Sequence, residues 1–177
     1  MTRDEIMALV RTVPDFPDAG ILFRDITTLL AHPQGFSACI AQMAQAVSPR
    51  TTAIAGIEAR GFILGAALAA HLHLGFIPLR KAGKLPVPVI GADYTLEYGQ
   101  ARIEIDPTLL TAGEHVLLVD DLIATGGTAI AAAGLLRAAG AVCEAALFVI
   151  DLPDLGGMDR LAEQGVAGKA LLEFSGH

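Results

Sequence analysis

Residues 116–128 read Val116-Leu117-Leu118-Val119-Asp120-Asp121-Leu122-Ile123-Ala124-Thr125-Gly126-Gly127-Thr128. The apolar run that opens this stretch is typical of a strand buried on both faces of a parallel sheet. An apolar pattern with helical spacing begins at Ala129, so a short turn joins the strand to a helix. Because open parallel sheets bind their ligands at the carboxyl ends of the strands, the two acids and the turn mark the expected binding site.

The turn favours a phosphate group, and the acids before it favour a sugar. Gly126 and Gly127 carry no Cβ, so backbone N–H groups can approach an anion closely. The helix that follows directs its N-terminus at the same anion. Asp120 and Asp121 would repel a phosphate, but they can accept hydrogen bonds from the hydroxyls of a ribose.

Two common phosphate-binding motifs are missing from the sequence. There is no G-x-x-x-x-G-K-[ST] and no G-x-G-x-x-G after a strand, which excludes a P-loop and a dinucleotide fingerprint. A plain strand, turn and helix cap is the alternative interpretation of residues 116–128. It does not explain the paired acids or the double glycine.

The composition fits one globular domain that spans residues 1–177. Hydrophobic residues make up 53% of the 177 positions and the mean hydropathy is +0.55, so the chain can bury a sizeable α/β core. Its 12 basic and 19 acidic residues give a net charge of −7, which argues against a nucleic-acid or membrane surface. Any affinity for phosphate must therefore come from a local site.

Cysteine usage and targeting signals favour the cytoplasm. Cys39 and Cys143 lie far apart in apolar contexts, which predicts buried thiols in a reducing compartment. The N-terminus carries acids where a signal peptide would carry positive charge. Residues 61–79 contain no charged residue and approach the length of a membrane-spanning helix, but their glycines and Pro78 predict a helix followed by a strand.

Helical and extended patterns alternate along the chain, which predicts an α/β fold with a mainly parallel, twisted sheet flanked by helices. The predicted strands cover residues 53–57, 76–79, 115–119, 142–150 and 170–174. The predicted helices cover residues 3–12, 33–47, 62–72 and 127–139. Residues 13–23 are rich in proline and glycine, and we expect them to be irregular.

Residues 83–105 depart from this alternation. Two β-type runs around Gly99 and Gln100 predict a hairpin arm, which is a candidate lid over the binding site. A decorative insertion and a dimer contact are the alternatives, and a dimer contact is compatible with a lid.

Residues 116–128 resemble the 5-phosphoribosyl-1-pyrophosphate (PRPP) signature of the type I phosphoribosyltransferases. Further blocks, in order over nearly the whole chain, resemble the adenine-specific branch of that family. These blocks are PDFPDAGILFRDIT (14–27), GIEARGF (56–62), RKAGKLP (80–86), LEYG (96–99) and LPDLGG (152–157). The resemblance implies the type I phosphoribosyltransferase fold with a hairpin hood. It also implies purine salvage, in which adenine and PRPP give AMP and pyrophosphate with Mg²⁺, and it suggests a homodimer.

The resemblance also implies a role for each motif. Asp120 and Asp121 would bind the ribose of PRPP, and the N-terminal segment 1–32 would bind the base. The 5′-phosphate would lie on Ala124, Thr125, Gly126, Gly127 and Thr128; pyrophosphate on Glu58, Ala59, Arg60, Lys81 and Lys84; adenine on Leu22, Phe23 and Arg24. Glu97, Arg60 and Lys81 would be catalytic, with Lys81 acting in its own or a neighbouring subunit. Mg²⁺ would bind through the phosphates of PRPP without a direct protein ligand.

Simpler roles remain open for several of these residues. Arg60 can be a surface arginine at a helix start, Lys84 part of a solvated basic turn, and Glu97 an exposed strand carboxylate. Leu22 and Phe23 can be core residues as well as base contacts. For the whole chain the alternatives are transfer to another base and a non-catalytic, PRPP-sensing regulator. A regulator would require a basic face or an added DNA-binding domain, and the sequence offers neither.

Overall fold

The computed structural model describes residues 1–96 and 99–176. Its central feature is a seven-stranded sheet in the order β5-β6-β4-β3-β7-β8-β9, beside a two-stranded ribbon of β1 and β2. The strands are β1 (Arg11–Pro14), β2 (Leu22–Asp25), β3 (Ala53–Ile57), β4 (Gly75–Lys81), β5 (Ile90–Leu96), β6 (Gly99–Ile105), β7 (His115–Ile123), β8 (Val142–Asp151) and β9 (Ala167–Glu173).

Five neighbouring strands of this sheet, β4, β3, β7, β8 and β9, pair in parallel. This confirms the predicted mainly parallel α/β sheet. β6 runs antiparallel to β4, and β5 runs antiparallel to β6. β5 and β6 therefore form a hairpin at one edge of the sheet, within the arm expected from the sequence. Glu97 and Tyr98, which fall between the two strands in the sequence, lie outside the described residues.

Helices cover both faces of the sheet. They are α1 (Arg3–Met7), α2 (Thr27–Leu30), α3 (Pro33–Gln45), α4 (Arg60–Leu72), α5 (Gly127–Ala138) and α6 (Gly157–Glu163), with 3₁₀ turns at Pro107–Leu109 and Pro153–Leu155. Helices α1 to α4 pack on one face, and α5 and α6 pack on the other.

Alternation along β7 divides its side chains between two hydrophobic cores. Val116 and Leu118 face the core beneath α5 and α6, whereas Leu117 and Val119 face the core beneath α1 to α4. Full burial of one such leucine contributes about 1.5–3 kcal/mol relative to leaving it in water. Because both faces of β7 are covered, its inner residues read as a continuous apolar run in the sequence.

The predicted helix over residues 3–12 is too long, and residues 13–23 are not irregular throughout. A capping box between Thr2 and Glu5 starts α1, which ends at Met7. The chain then enters β1, where the β-branched Thr12 and Val13 pair with the opposite strand β2. Arg11 closes the ribbon by hydrogen bonding to Asp25.

The predicted strand over residues 115–119 is too short, because β7 continues through the acids to Ile123. Its neighbour β8 stays in register with it, pairing Asp120 with Phe148 and Ile123 with Asp151. Asp120 and Asp121 therefore lie inside β7, near its carboxyl end, and not in the turn that follows it. The sequence patterns also missed the short helices α2 and α6.

The charge-free residues 61–79 form most of α4 and β4. Within the described residues, no helix is both long and apolar enough to cross a membrane. Cys39 and Cys143 are buried free thiols, as the sequence predicted. Burial raises the pKa of the Cys39 thiol to about 12 and that of Cys143 to about 11.

Candidate active site at the carboxyl ends of the parallel strands

A cavity of about 210 Å³ lies where β7 leaves the sheet and α5 begins. Its lining consists of Arg60 and every residue from 120 to 129. The edge formed by β3 and β7 brings these groups together, because the two strands are parallel neighbours whose carboxyl ends meet. The structure thus unites the two acids, the turn after them and the arginine that opens α4.

Arg60 is the cation of this cavity. Its Nε donates to Oδ2 of Asp121 at 2.5 Å, and the Asp121 side chain is only 7% exposed, whereas that of Arg60 is 44% exposed. Within the described residues, the terminal nitrogens of the Arg60 guanidinium donate to no other group. They remain able to bind an anionic ligand in a bidentate manner.

Asp120 lies in a different environment from Asp121. Burial, followed by the neighbouring charge of Asp121, raises the pKa of the Asp120 carboxyl well above its ordinary value. Its Oδ1 accepts from the backbone N–H of Asp121 at 2.9 Å. A Cβ on Gly61 would lie 2.8 Å from this same oxygen, so a glycine at the start of α4 is what lets the helix pack against β7 here.

Residues 124–128, which we call the glycine turn, shape the other side of the cavity. Gly126 has a φ of +82°, a conformation that favours glycine, and α5 starts at Gly127 with its N-terminus toward the cavity. Gly157 supports the turn from behind. A Cβ on Gly157 would overlap the carbonyl oxygen of Ala124 and come within 3.0 Å of the Gly126 backbone nitrogen.

Glu58 lies after β3 and organises the end of the neighbouring strand β4. Its Oε2 accepts from the Lys81 backbone N–H at 2.9 Å and from Arg80 Nε at 3.2 Å. The hydrogen bond from Lys81, followed by the Arg80 guanidinium, lowers the pKa of the Glu58 carboxyl. Arg80 also donates to the Lys84 carbonyl oxygen at 3.3 Å, which ties the RKAGK turn to Glu58.

The predicted pyrophosphate residues therefore fall into two groups. Arg60 lines the cavity, whereas Glu58, Lys81 and Lys84 form a cluster at the end of β4 with exposed lysine side chains. Ala59 connects the two groups, and the Glu58–Ala59 peptide bond is cis. Arg80 also belongs to this cluster, although no role was predicted for it from the sequence. Its position in the RKAGKLP block was the sequence feature that could have indicated such a role.

The predicted base residues lie in β2. Phe23 lies beside Arg60, whose guanidinium lies over its ring at 5.7 Å, and the Phe16 ring meets it edge-on at 5.2 Å. Within the described residues, Leu22 and Phe23 are half-buried and belong to neither hydrophobic core. The Arg24 side chain points to the opposite side of the ribbon from Phe23, where it donates to Thr12 and to the Ser175 carbonyl oxygen.

The donor set at the cavity fits a divalent cation held mainly by its substrate. Asp120 and Asp121 supply two carboxylates, and the described residues contain no group of three or more His, Cys, Asp or Glu side chains that could hold a metal ion. Mg²⁺ usually keeps several waters and binds through one or two carboxylates and substrate phosphates. These residues thus fit Mg²⁺ in that mode. Glu97, the remaining predicted catalytic residue, lies outside the described residues.

A parallel α/β sheet with paired acids, a glycine turn and a helix N-terminus at one edge defines a sugar-phosphate transferase of the phosphoribosyl type. In agreement, the family model described as "Phosphoribosyl transferase domain" matches residues 25–160. The adenine phosphoribosyltransferase of Novosphingobium aromaticivorans is 62% identical over 178 residues, covering 100% of both chains.

Solved structures agree with this sequence relationship. The adenine phosphoribosyltransferase of Thermoanaerobacter pseudethanolicus has a TM-score of 0.92 at 41% identity, covering 98% of this chain and 100% of its own. The Saccharomyces cerevisiae enzyme, complexed with an imino-altritol bisphosphate and adenine, has a TM-score of 0.88 at 37% identity, covering 96% and 98%. The chain belongs to the adenine phosphoribosyltransferase family.

Proposed function

We propose that the chain transfers the 5-phosphoribosyl group of PRPP to adenine, giving AMP and pyrophosphate in purine salvage, and that the transfer takes place in the cavity between Arg60 and the glycine turn. The observation that carries the site assignment is the union of Asp120, Asp121 and Arg60 with residues 124–128 around one cavity. The yeast relative with adenine bound supports adenine as the acceptor base.

The substrate's phosphate and ribose match two sides of the cavity. The 5′-phosphate accepts from the backbone N–H groups of the glycine turn and lies at the N-terminus of α5, where the helix dipole favours negative charge. The ribose hydroxyls donate to Asp120 and Asp121. Asp121 pairs with Arg60, and this ion pair fixes the direction in which the acid accepts.

The reaction exchanges one bond at the anomeric carbon for another. The bond from C1 to the pyrophosphate oxygen breaks with its electron pair leaving on pyrophosphate. A lone pair of adenine N9 forms the new bond, and the N9 proton is lost to a base. The resemblance implies that Glu97 assists at adenine, either by accepting this proton or by polarising the ring. Carboxylates near the ribose stabilise positive charge that develops there, and Arg60 stabilises the negative charge of the leaving group.

The cluster around Glu58 serves the leaving group from the other side. Glu58 fixes the Lys81 backbone and the Arg80 guanidinium, so the basic turn of residues 80–84 holds a defined shape near Arg60. Mg²⁺ held through the phosphates of PRPP would supply additional positive charge for the departing pyrophosphate.

Phe23 provides an apolar surface for the adenine ring. It lies beside Arg60, which lines the cavity, and outside both cores, so a flat base can pack against it. The side chain of Arg24 is engaged elsewhere, which leaves its backbone groups to read the edge of the base. A backbone site that hydrogen-bonds the 6-amino group rejects a 6-oxo purine, because buried polar groups would lose their partners.

The quaternary state and compartment follow the family expectation. We propose a homodimer that acts in the cytoplasm, in which Lys81 serves its own or the neighbouring site. The buried free thiols Cys39 and Cys143 support a reducing compartment.

The test is product formation from PRPP and Mg²⁺ with adenine, hypoxanthine, guanine, xanthine and orotate in parallel. We expect AMP and pyrophosphate with adenine and little product with the 6-oxo purines. Turnover with a different base would keep the PRPP site and overturn the base assignment. PRPP binding without turnover of any base would favour a regulator.

A further inference from the structure

Residues 174–176, which we call the clasp segment, lie against the back of the base-binding strand β2. Alternation in β2 sends Phe23 toward Arg60 and the cavity, while Leu22 and Arg24 point to the other side. On that side Arg24 donates to the Ser175 carbonyl oxygen at 2.8 Å and lies over the Phe174 ring at 4.8 Å. A Cβ on Gly176 would lie 3.5 Å from Leu22 Cδ1.

Asp154 anchors the far end of the clasp segment. Its Oδ2 accepts from the Gly176 backbone N–H at 2.8 Å. Asp154 belongs to the 3₁₀ turn Pro153–Leu155, and two residues after that turn Gly157 supports the glycine turn from behind. The near end is fixed to the sheet, because the Phe174 backbone N–H donates to the Asp151 carbonyl oxygen at 3.0 Å.

The ribbon of β1 and β2 needs such an attachment. It forms a separate two-stranded sheet, and a two-stranded ribbon alone is marginally stable in water. The Arg24 guanidinium has three partners on this side, namely Thr12, Ser175 and the Phe174 ring, so it joins the ribbon to the clasp segment. Without it, the ribbon would hold Phe23 in position less accurately, and positional errors near 1 Å are costly at a reacting centre.

We infer that the clasp segment and Asp154 position the base-binding strand, so that they set the affinity for adenine without contacting either substrate. Asp154 and the side chain of Arg24 have positioning roles and act through residues 174–176. This inference rests on the proposed base site at Phe23.

The experiment separates the KM for adenine from the KM for PRPP in four variants. Asp154→Ala removes the anchor, and a chain ending at Phe174 removes Ser175 and Gly176 from the clasp segment; each is expected to raise the adenine KM roughly three- to tenfold. The kcat and the PRPP KM should stay within about twofold, because the cavity residues keep their places. Asp154→Asn retains an oxygen acceptor and should restore the adenine KM. Glu163→Ala removes an exposed acid of equal charge from α6 and should change neither KM.

Phe23→Ala distinguishes failure of the inference from failure of the base site. If Phe23→Ala raises the adenine KM while Asp154→Ala and the shortened chain leave it unchanged, the clasp inference is overturned and the base site stands. If Phe23→Ala has no effect either, the base site itself is wrong. Equal losses for both substrates in Asp154→Ala, with a lowered Tm, would mean general unfolding and would also overturn the inference.

Discussion

Arg60 and Asp121 form an ion pair that joins the first residue of α4 to the interior of β7, with Nε 2.5 Å from Oδ2. Asp121 is buried and Arg60 is half-exposed, so the pair leaves one side of the guanidinium open to the cavity. Asp120, its chain neighbour, forms no ion pair among the residues that the structure describes and carries a raised pKa. The two adjacent carboxyl groups thus have different environments, so we expect their substitution to have different effects on stability.

We expect the double variant Asp120→Asn with Asp121→Asn to lose transfer activity by about 10²–10³-fold or more, because neither amide can supply negative charge near the ribose. AMP formation from PRPP and adenine measures the loss. Circular dichroism should show the fold intact, since asparagine fits both positions. Near-normal turnover in this variant would refute the ribose assignment.

Asp120→Asn alone should raise the stability of the fold. Its pKa is higher in the folded chain than in the unfolded one, so at neutral pH the buried carboxyl destabilises the folded state, and this penalty grows as pH rises above 3.8. Asparagine does not titrate, and its oxygen can still accept from the Asp121 N–H. Thermal melts should show a Tm a few degrees higher at pH 8 and a smaller difference at pH 4. A lowered Tm at pH 8 would contradict the raised pKa of the Asp120 carboxyl.

The core of this site is predictable from the sequence because its signals are local. The apolar run, the paired acids and the double glycine follow one another, and each has a separate physical reason to lie at a strand end near a helix start. Arg60 lies 60 residues before Asp120 in the sequence, yet β3 and β7 are parallel neighbours. The alternation of strands and helices was therefore sufficient to predict that the two residues lie at the same edge of the sheet.

The parts that the sequence did not predict depend on contacts between distant segments. The ribbon pairs residues 11–14 with residues 22–25, and Arg11 and Asp25, whose hydrogen bond closes it, both lie outside residues 13–23. The extension of β7 to Ile123 depends on continued pairing with β8. Gly157 lies behind the glycine turn through tertiary packing alone, and the hydrogen bonds of the clasp segment span up to 151 residues of sequence.

Gly157→Ala should lower kcat/KM for PRPP by about 10- to 100-fold, because the added methyl group displaces Ala124 and Gly126, which we propose bind the 5′-phosphate. Steady-state kinetics with varied PRPP measure this. Gly134→Ala is the matched control, since its Cβ meets no atom within 4 Å in the middle of α5. That variant should keep full activity and gain about 1 kcal/mol of stability from helix propensity. Equal activity in the two variants would exclude a role for Gly157 in shaping the turn.

Glu58→Gln should raise the KM for PRPP roughly three- to tenfold with a small effect on the KM for adenine. The amide weakens the attachment of Arg80 and of the Lys81 backbone, so the basic turn of residues 80–84 loses its fixed shape. Asp93→Asn is the control, because it breaks an exposed ion pair to Arg102 in the hairpin and should leave both constants unchanged. A larger rise in the KM for adenine than in the KM for PRPP would contradict a role for Glu58 on the pyrophosphate side of the site.

Asp25 makes the attachment of the ribbon sensitive to acid. Hydrogen bonds from the Thr27 side chain and backbone, followed by that from Arg11, lower the pKa of the Asp25 carboxyl to about 2. Because the folded pKa lies below the unfolded value of 3.8, the stabilisation is fully present above that pH and is lost as pH falls toward 2.

Asp25→Asn should therefore lower the free energy of unfolding at pH 7 by about 2 kcal/mol, the cost of weakening a charge-assisted hydrogen bond. For a chain of this size that corresponds to a Tm lower by about 4–8 °C. The difference from the unaltered chain should shrink at pH 2.5, where the native carboxyl begins to take up its proton. Glu144→Gln, which breaks an exposed ion pair with Arg50, should change the Tm little at either pH. A Tm difference for Asp25→Asn that is the same at both pH values would show that the charge of Asp25 does not hold the ribbon.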